Sequence, residues 1–369
     1  MTQRTIDVPT LRQWLEQHKS VLVLDVRTAA DRGEWFIPGS THADVYAALK
    51  AGDASALDGV ELSADTPIVT VCGVGKISLV AAQQLAAQGY TAYSLVGGMQ
   101  AWSLAWNVAE LPSFDEHIRV LQVRRTGKGC LSYLIGSETE AAVIDAALDA
   151  DVYRSLAAQY GWRITAVLDT HIHADHLSRS RQLAKQSGAT FYLPAQQRVA
   201  FPFTPLHDGE TITIGTAQLV ALHTPGHSLE STSYLLNGHA LFTGDTLFLA
   251  AVGRPDLDAS PEETRTRAYL LYESLQRLLT LSPDTLVLPG HTSTPPAFDG
   301  RPLVSSLGDV RATISRLQLP ASAFVEEILA RIPPTPPNHK QIVAINEDGT
   351  SVPADPTTLE AGANRCAVA

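Results

Sequence analysis

Two α/β units in tandem, a parallel sheet with flanking helices and then a mixed αβ sandwich, are what this sequence predicts. Three observations carry that expectation. The 369 residues exceed what one hydrophobic core usually spans. Up to about residue 105, strand-like and helix-like runs alternate; beyond His117, short strand-like runs follow one another at hairpin distances.

Composition narrows the function classes. Apolar residues make up 45% of the chain but never form the run of about eighteen needed to cross a bilayer. The opening MTQRTIDVPTLRQWLEQHKS lacks the continuous apolar stretch of a secretory signal, so a cytoplasmic location and no membrane partner are expected. A net charge of −11 without a basic stripe argues against nucleic acid as a partner. The three cysteines are too few and too scattered for a disulfide framework, which suits a reducing compartment.

The first unit is expected over residues 1–110. VLVLDVR from Val21 and PIVTVC ending at Cys72 read as buried strands, and ISLVAAQQLAAQGY as a helix closed by Gly89. TAYSLVGGMQAW supplies a further strand and turn. From Asn107 the sequence NVAELPSFDEH loses periodicity and carries Pro112, which places a linker at 111–117. The second unit, 118–345, offers strands at IRVLQVRR, CLSYLIG, AAVIDA, ITAVLDT, FYLP, ITIG, AQLVALHT, STSYLL, ALFTGD and TLVLPGH. Helices are expected at ADVYRSLAAQYG, SSLGDVRATISRL and SAFVEEILARI, and the polar tail 346–369 is expected to be mobile.

The densest chemical signal is THIHADH. His171 and His173, two apart in an extended segment, face the same way, and Asp175 and His176 follow where a helix is expected to begin. His227, Asp245 and His291 fall at the ends of other expected strands, where imidazoles and a carboxylate can converge on a cation. His223, next to TPGH, sits on an alternating strand pattern and reads as packed or exposed, while His18, His42, His117, His207, His239 and His339 have no companions at ligand spacing.

HIHADH, TPGH, TGD and PGH, in that order over residues 171–291, resemble the metallo-β-lactamase superfamily, and more narrowly its glyoxalase II and persulfide dioxygenase branches. CLSYLIG, AVIDA, TPGHSLESTSYLL, FTGDTLF, VGRPD and PPTPPNHKQIVAIN resemble the persulfide dioxygenases. The resemblance implies an αββα sandwich with one Fe(II) per chain, held by His171, His227 and Asp245, while His173, Asp175, His176 and His291 line the site. It implies oxidation of a low-molecular-weight thiol persulfide, such as glutathione persulfide, by dioxygen to sulfite and thiol.

Two alternatives stay open. In a glyoxalase II-like enzyme the same residues would complete a zinc site of one or two metals that hydrolyses thioesters; a non-catalytic persulfide-sensing module would keep the metal as structure. Arg254 in VGRPD matches the family's GRxD element, which implies a hold on a carboxylate of the thiol carrier; the competing reading is a structural ion pair. Arg179 stands where a glycine is usual, and PGHTS replaces the commoner PGHDY.

Cys72 opens the turn C-G-V-G-K-I-S. The amides of Gly73, Val74, Gly75, Lys76, Ile77 and Ser78 can form an anion cradle, and the following helix N-terminus favours a thiolate. With LDVR at 24–27, FIPGS at 36–40 and LVGGMQAW at 95–102, this loop resembles the rhodanese family. The resemblance implies Cys72 as a persulfide carrier exchanging sulfur with sulfite or thiosulfate. Ile77 stands where relatives often have arginine. Cys130 reads as core, Cys366 as a tail thiol without a role, and a homo-oligomer remains open.

Overall fold

Val23, Leu24, Val69 and Val71 are all sealed from water, as strands covered on both faces require. They belong to the first of four sheets in the computed structural model, which describes residues 4–350, 352–353, 355–362 and 364–369. Met1 to Gln3 of the opening segment and Ser351, Ala354 and Ala363 of the tail lie outside the described residues. The strands of the first unit are β1 (Thr5–Ile6), β2 (Leu22–Asp25), β3 (Thr41–His42), β4 (Ile68–Val71) and β5 (Ala92–Leu95). They pair in parallel in the order β1-β5-β4-β2-β3. Helix Val8–Glu16 begins at Asp7, whose carboxylate accepts the Thr10 N–H at 2.9 Å. Helix Lys76–Ala87 lays Ala81, Ala82 and Leu85 on the sheet, and Gly98–Trp102, expected only as a turn, is a short helix.

The second unit stacks two mixed sheets. The first contains β6 (Asn107–Glu110), β7 (Ile118–Arg125), β8 (Cys130–Ser137), β9 (Glu140–Ile144), β10 (Arg163–Leu168), β11 (Thr190–Pro194) and β12 (Thr204–Leu206), ordered from β12 in sequence back to β6. The second holds β13 (Thr211–Ile214), β14 (Ala217–His223), β15 (Thr232–Leu236), β16 (Ala240–Gly244), β18 (Leu286–Pro289) and β19 (Ser305–Ser306) in that order; β17 (Val252–Gly253) pairs apart with β20 (Ala367–Val368).

Between the two large sheets Ile135, Ile144, Leu168, Tyr234, Leu236 and Phe242 close an apolar core. Each such side chain contributes about 1.5–3 kcal/mol on burial. Helices Ala150–Gln159 and Ser180–Ser187 cover the outer face of one sheet; Pro261–Leu278, Leu307–Thr313 and Ala321–Ala330 cover the other. Helices outside two stacked sheets give the αββα arrangement expected from the sequence.

Two further segments differ from expectation. Asn107–Glu110, read as aperiodic, pairs with β7 as the edge strand of the second unit, because Val108 and Ala109 find apolar cover there. The tail, expected to be mobile, is docked. Asn346 ends up inside helix His339–Asp348, and Glu360, Cys366 and Val368 are buried. No helix among the described residues is long and apolar enough to cross a membrane.

Candidate active site

The backbone leaving β10 does not enter a helix at Asp175; the helix starts only at Ser180, so residues 169–179 form a buried loop at the edge of the sandwich. That loop brings His171, His173, Asp175 and His176 against His227, Asp245 and His291, which follow or end strands of the second sheet. Donor atoms of His171, His227 and Asp245 lie within 4.8 Å of one another, and those of Asp175, His176, His291 and Cys130 form a second such group. The Asp245 Oδ2 is 3.8 Å from His171 Nε2 and 3.7 Å from His227 Nε2. Its other oxygen accepts from His291 Nδ1 at 2.5 Å, so Asp245 spans both groups.

Every imidazole has one nitrogen fixed by the protein. His171 Nδ1 donates to Thr170 Oγ1 at 2.9 Å, and the Thr170 hydroxyl in turn donates to Asp145. His173 Nε2 donates to Asp145 at 3.2 Å, His176 Nδ1 to Asp175 at 3.0 Å, and His227 Nδ1 to the Arg254 carbonyl at 2.9 Å. These bonds set the tautomers, as outer partners of metal-binding imidazoles do. Left over, buried and without a hydrogen-bond partner, are His171 Nε2, His173 Nδ1, His176 Nε2, His291 Nε2 and Asp245 Oδ2. His291 Nε2 lies 2.8 Å from Asp175 Oδ2 but off the hydrogen-bonding direction.

A buried polar atom without a partner costs about 1–3 kcal/mol. Five in one pocket are hard to sustain unless a cation takes their lone pairs, so the residues present fit a metal centre. Charge agrees. Burial, then the neighbouring His173, holds the His171 imidazolium well below the usual histidine range, and burial likewise lowers His227, leaving neutral rings with free lone pairs. At the other group burial is outweighed by Asp175 and Cys130, which lift His176 to about 10, and His291 is raised by Asp175 and Asp245. Protons bind there because two buried carboxylates make the pocket anionic, a charge that divalent cations would neutralise.

Several residues were not singled out from sequence. Asp145, with φ of 54°, accepts from the Thr170 N–H, the Thr170 hydroxyl and His173; its place at the end of β9 is the same strand-end signal that marked the ligands. Cys130, read as core, lies with its Sγ 3.5 Å from Asp175 Oδ2 and 3.8 Å from His176 Nδ1. Burial and Asp175 push its thiol up, but His176 and His291 outweigh them and bring it to about 6. Cys366 and Asn364 arrive from the tail, where no spacing marks them.

Arg254 corrects the substrate-binding expectation. Its side chain is fully buried, and its five N–H groups go to Asp256, Pro333, Pro334 and Arg365, leaving none for a ligand. Arg179 does not crowd the helix start; it turns inward to Glu360 and the Leu177 carbonyl.

In the first unit Cys72 is buried at the end of β4, and the bend at Gly75 (φ 83°) leads into helix Lys76–Ala87. None of the amides from Gly73 to Ser78 is taken up by a turn or capping bond. A Cβ on Gly98 would come within 2.2 Å of the Cys72 carbonyl, so only glycine lets the two loops meet. A cavity of about 770 Å³ beside Cys72 is lined by Arg27, Lys50, Lys76 and the tail residues Thr357 and Thr358.

A helix-covered pair of mixed sheets carrying a histidine–carboxylate cluster at its strand ends defines the class of this second unit: a metal-site sandwich. Residues 125–291 match the metallo-beta-lactamase superfamily and residues 7–105 the rhodanese-like domain. The hydroxyacylglutathione hydrolase of Brucella anthropi is 31% identical over 198 residues, 50% of this chain and 73% of that protein. Among solved structures, the metallo-beta-lactamase from Staphylococcus aureus subsp. aureus COL superposes with a TM-score of 0.58 at 28% identity, over 64% of this chain and 74% of that one. ETHE1 from Myxococcus xanthus gives 0.53 at 30%, over 65% and 98%. The chain belongs to the metallo-beta-lactamase superfamily and carries a rhodanese-like domain ahead of that fold.

These findings correct the expected reaction. The curated relatives are named hydroxyacylglutathione hydrolase, at 31 to 35% identity. The likeness to ETHE1 leans toward the narrower branch named from sequence but does not outweigh them. Oxidation of a persulfide by dioxygen at one Fe(II), with sulfite as product, therefore gives way to the hydrolytic alternative. For several of these relatives the chain spans 56 to 66% of their length, under two thirds.

Proposed function

We propose that the second domain hydrolyses the thioester of a small thiol carrier at a two-metal centre. The observation that carries this reading is the set of partnerless buried atoms on His171, His173, His176, His291 and Asp245. One group would be held by His171, His173, His227 and Asp245, the other by Asp175, His176, His291 and the same Asp245. Imidazole and carboxylate donors suit zinc or iron(II). Bound there, two divalent cations supply Lewis acidity to a carbonyl oxygen and a water acidic enough to ionise near neutrality.

The chain's own part is positioning and access. Asp145 and Thr170 keep the lone pairs of His171 and His173 turned inward, and the Arg254 carbonyl does so for His227. A cavity of about 640 Å³ opens over His171 and His173, walled by Phe191 and Phe201 and edged by Arg181 and Lys185. Aromatic walls suit an acyl group, and the two cations suit the carboxylates of a glutathione-like carrier. Purified protein given a 2-hydroxyacyl thioester of glutathione should release free thiol without consuming oxygen, and should contain close to two metals per chain. Absence of thiol release across glutathione and coenzyme A thioesters would sink the reading.

For the first domain, the free amides around Cys72 support a sulfane-sulfur carrier. Exposure to thiosulfate should add the mass of one sulfur atom to the wild-type chain and none to Cys72→Ser.

A further inference from the structure

The C-terminal segment does more than cover the sandwich. β20 runs antiparallel to β17, with Val368 opposite Val252 and Ala367 opposite Gly253. The Cys366 carbonyl accepts the Arg254 N–H at 3.0 Å, and Arg316 donates to the Val368 carbonyl at 3.1 Å. Upstream, Glu360 accepts from Arg125 and from the Leu177 N–H, each at 2.7 Å. Between these anchors Asn364 donates to Asp175 Oδ2 at 2.9 Å, while its own oxygen accepts the Cys366 N–H at 2.8 Å.

The strap so pinned carries a thiol into the metal cluster. Cys366 is buried, and its Sγ, a donor atom of Asp245 and a donor atom of His291 all lie within 4.8 Å of one another. Both neighbours contribute buried atoms without a partner, Asp245 Oδ2 and His291 Nε2. A cysteine serving only as a small apolar filler needs nothing beyond the contacts it has with Phe248 and Ala251. Placing its sulfur beside a carboxylate and an imidazole that each keep one buried atom without a partner is the arrangement of a ligand set.

We propose that Cys366 is a ligand of the metal centre, delivered to the Asp245–His291 edge by this strap. The inference rests on reading the cluster as a metal site, though not on which reaction runs there. A thiolate on that edge shifts preference toward zinc over harder cations and closes that face, leaving the opening over His171 and His173 as the way in. The same strap contributes Thr357, Thr358, Ala361 and Gly362 to the cavity beside Cys72, so one element touches both sites.

Cobalt(II) substitution of the full chain tests this, with wild type, Cys366→Ser and Cys130→Ser compared after metal removal. The expected result is a near-ultraviolet thiolate-to-cobalt charge-transfer band in wild type and Cys130→Ser that is absent from Cys366→Ser, while visible ligand-field bands persist in all three. Loss of one ligand should also weaken metal retention against a chelator by roughly tenfold or more. Persistence of the band in Cys366→Ser, or its loss only in Cys130→Ser, overturns the proposal and leaves the metal centre standing. Failure of all three to take up cobalt overturns both. Cooperative unfolding of Cys366→Ser confirms that it is folded.

Discussion

Arg125 and Glu360, 235 positions apart, meet in a 2.7 Å ion pair with both side chains sealed from water. The pair ties the end of β7 to the strap, and Arg179 shares the same carboxylate at 3.3 Å. Burial opposes the charge on Glu360, but Arg125 and Arg179 outweigh it and hold the carboxyl below the ordinary glutamate range.

Glu360→Gln leaves a buried guanidinium uncompensated and should destabilise the protein by about 3–5 kcal/mol, whereas replacing both partners by methionine should cost less. Urea unfolding of the two variants checks the order. The pH dependence follows from the sign: a depressed folded-state value means that the pair's contribution is full above the ordinary glutamate range and is lost as pH falls through and below it. Wild type should therefore lose more stability than Glu360→Gln on acidification.

Asp245 bridges the two donor groups, so Asp245→Asn should cut both metal content and thioester turnover. The loss should exceed the ~10–100-fold seen when only a supporting partner of a ligand is removed. Elemental analysis and thiol release on one preparation read both quantities; unchanged turnover would leave the centre merely structural.

Asp145→Ala removes three hydrogen bonds behind His171 and His173 without touching a lone pair. Metal affinity should fall by ~10–100-fold, and saturating metal should restore much of the activity. Titration with zinc distinguishes this positioning role from a direct one.

Arg254→Ala should lower stability, because the half-buried Asp256 carboxylate and three carbonyls lose their donor. At saturating metal the KM for the thioester should stay within about twofold, since each N–H of Arg254 is already engaged by the protein. A large rise in KM with unchanged unfolding would restore a substrate contact.

Gly98→Ala places a methyl group against the Cys72 carbonyl at a φ of 57°. Sulfur loading of Cys72 should drop at least tenfold while thioester hydrolysis is retained, because the loop that shapes the cradle must shift.

Legibility followed spacing. His171, His173, Asp175 and His176 fall within six residues, and His227, Asp245 and His291 each sit at the end of an apolar run, so a candidate cluster could be read from spacing, while the ligand set came from the family resemblance. The Cys72 turn was equally local. Cys366, Asn364 and Glu360 carry no such mark, because their partners Asp245, Asp175 and Arg125 lie more than a hundred residues away and only the folded strap brings them together. Arg254 shows the converse: its motif was clear from sequence, but its burial beneath the Pro333–Pro334 carbonyls was not. Asn107–Glu110 looked aperiodic because a four-residue edge strand is too short to display alternation.

The turn between β7 and β8 wedges into the rhodanese-like domain: the Trp35 indole donates to the Thr126 carbonyl at 3.0 Å, and a Cβ on Gly127 would strike the Trp102 carbonyl. Severing the chain near residue 105 would therefore strip two tryptophans of their cover and open a wound in both halves. Two independent proteins made from these halves would each need a new polar surface where the hairpin now sits, which no single cut provides.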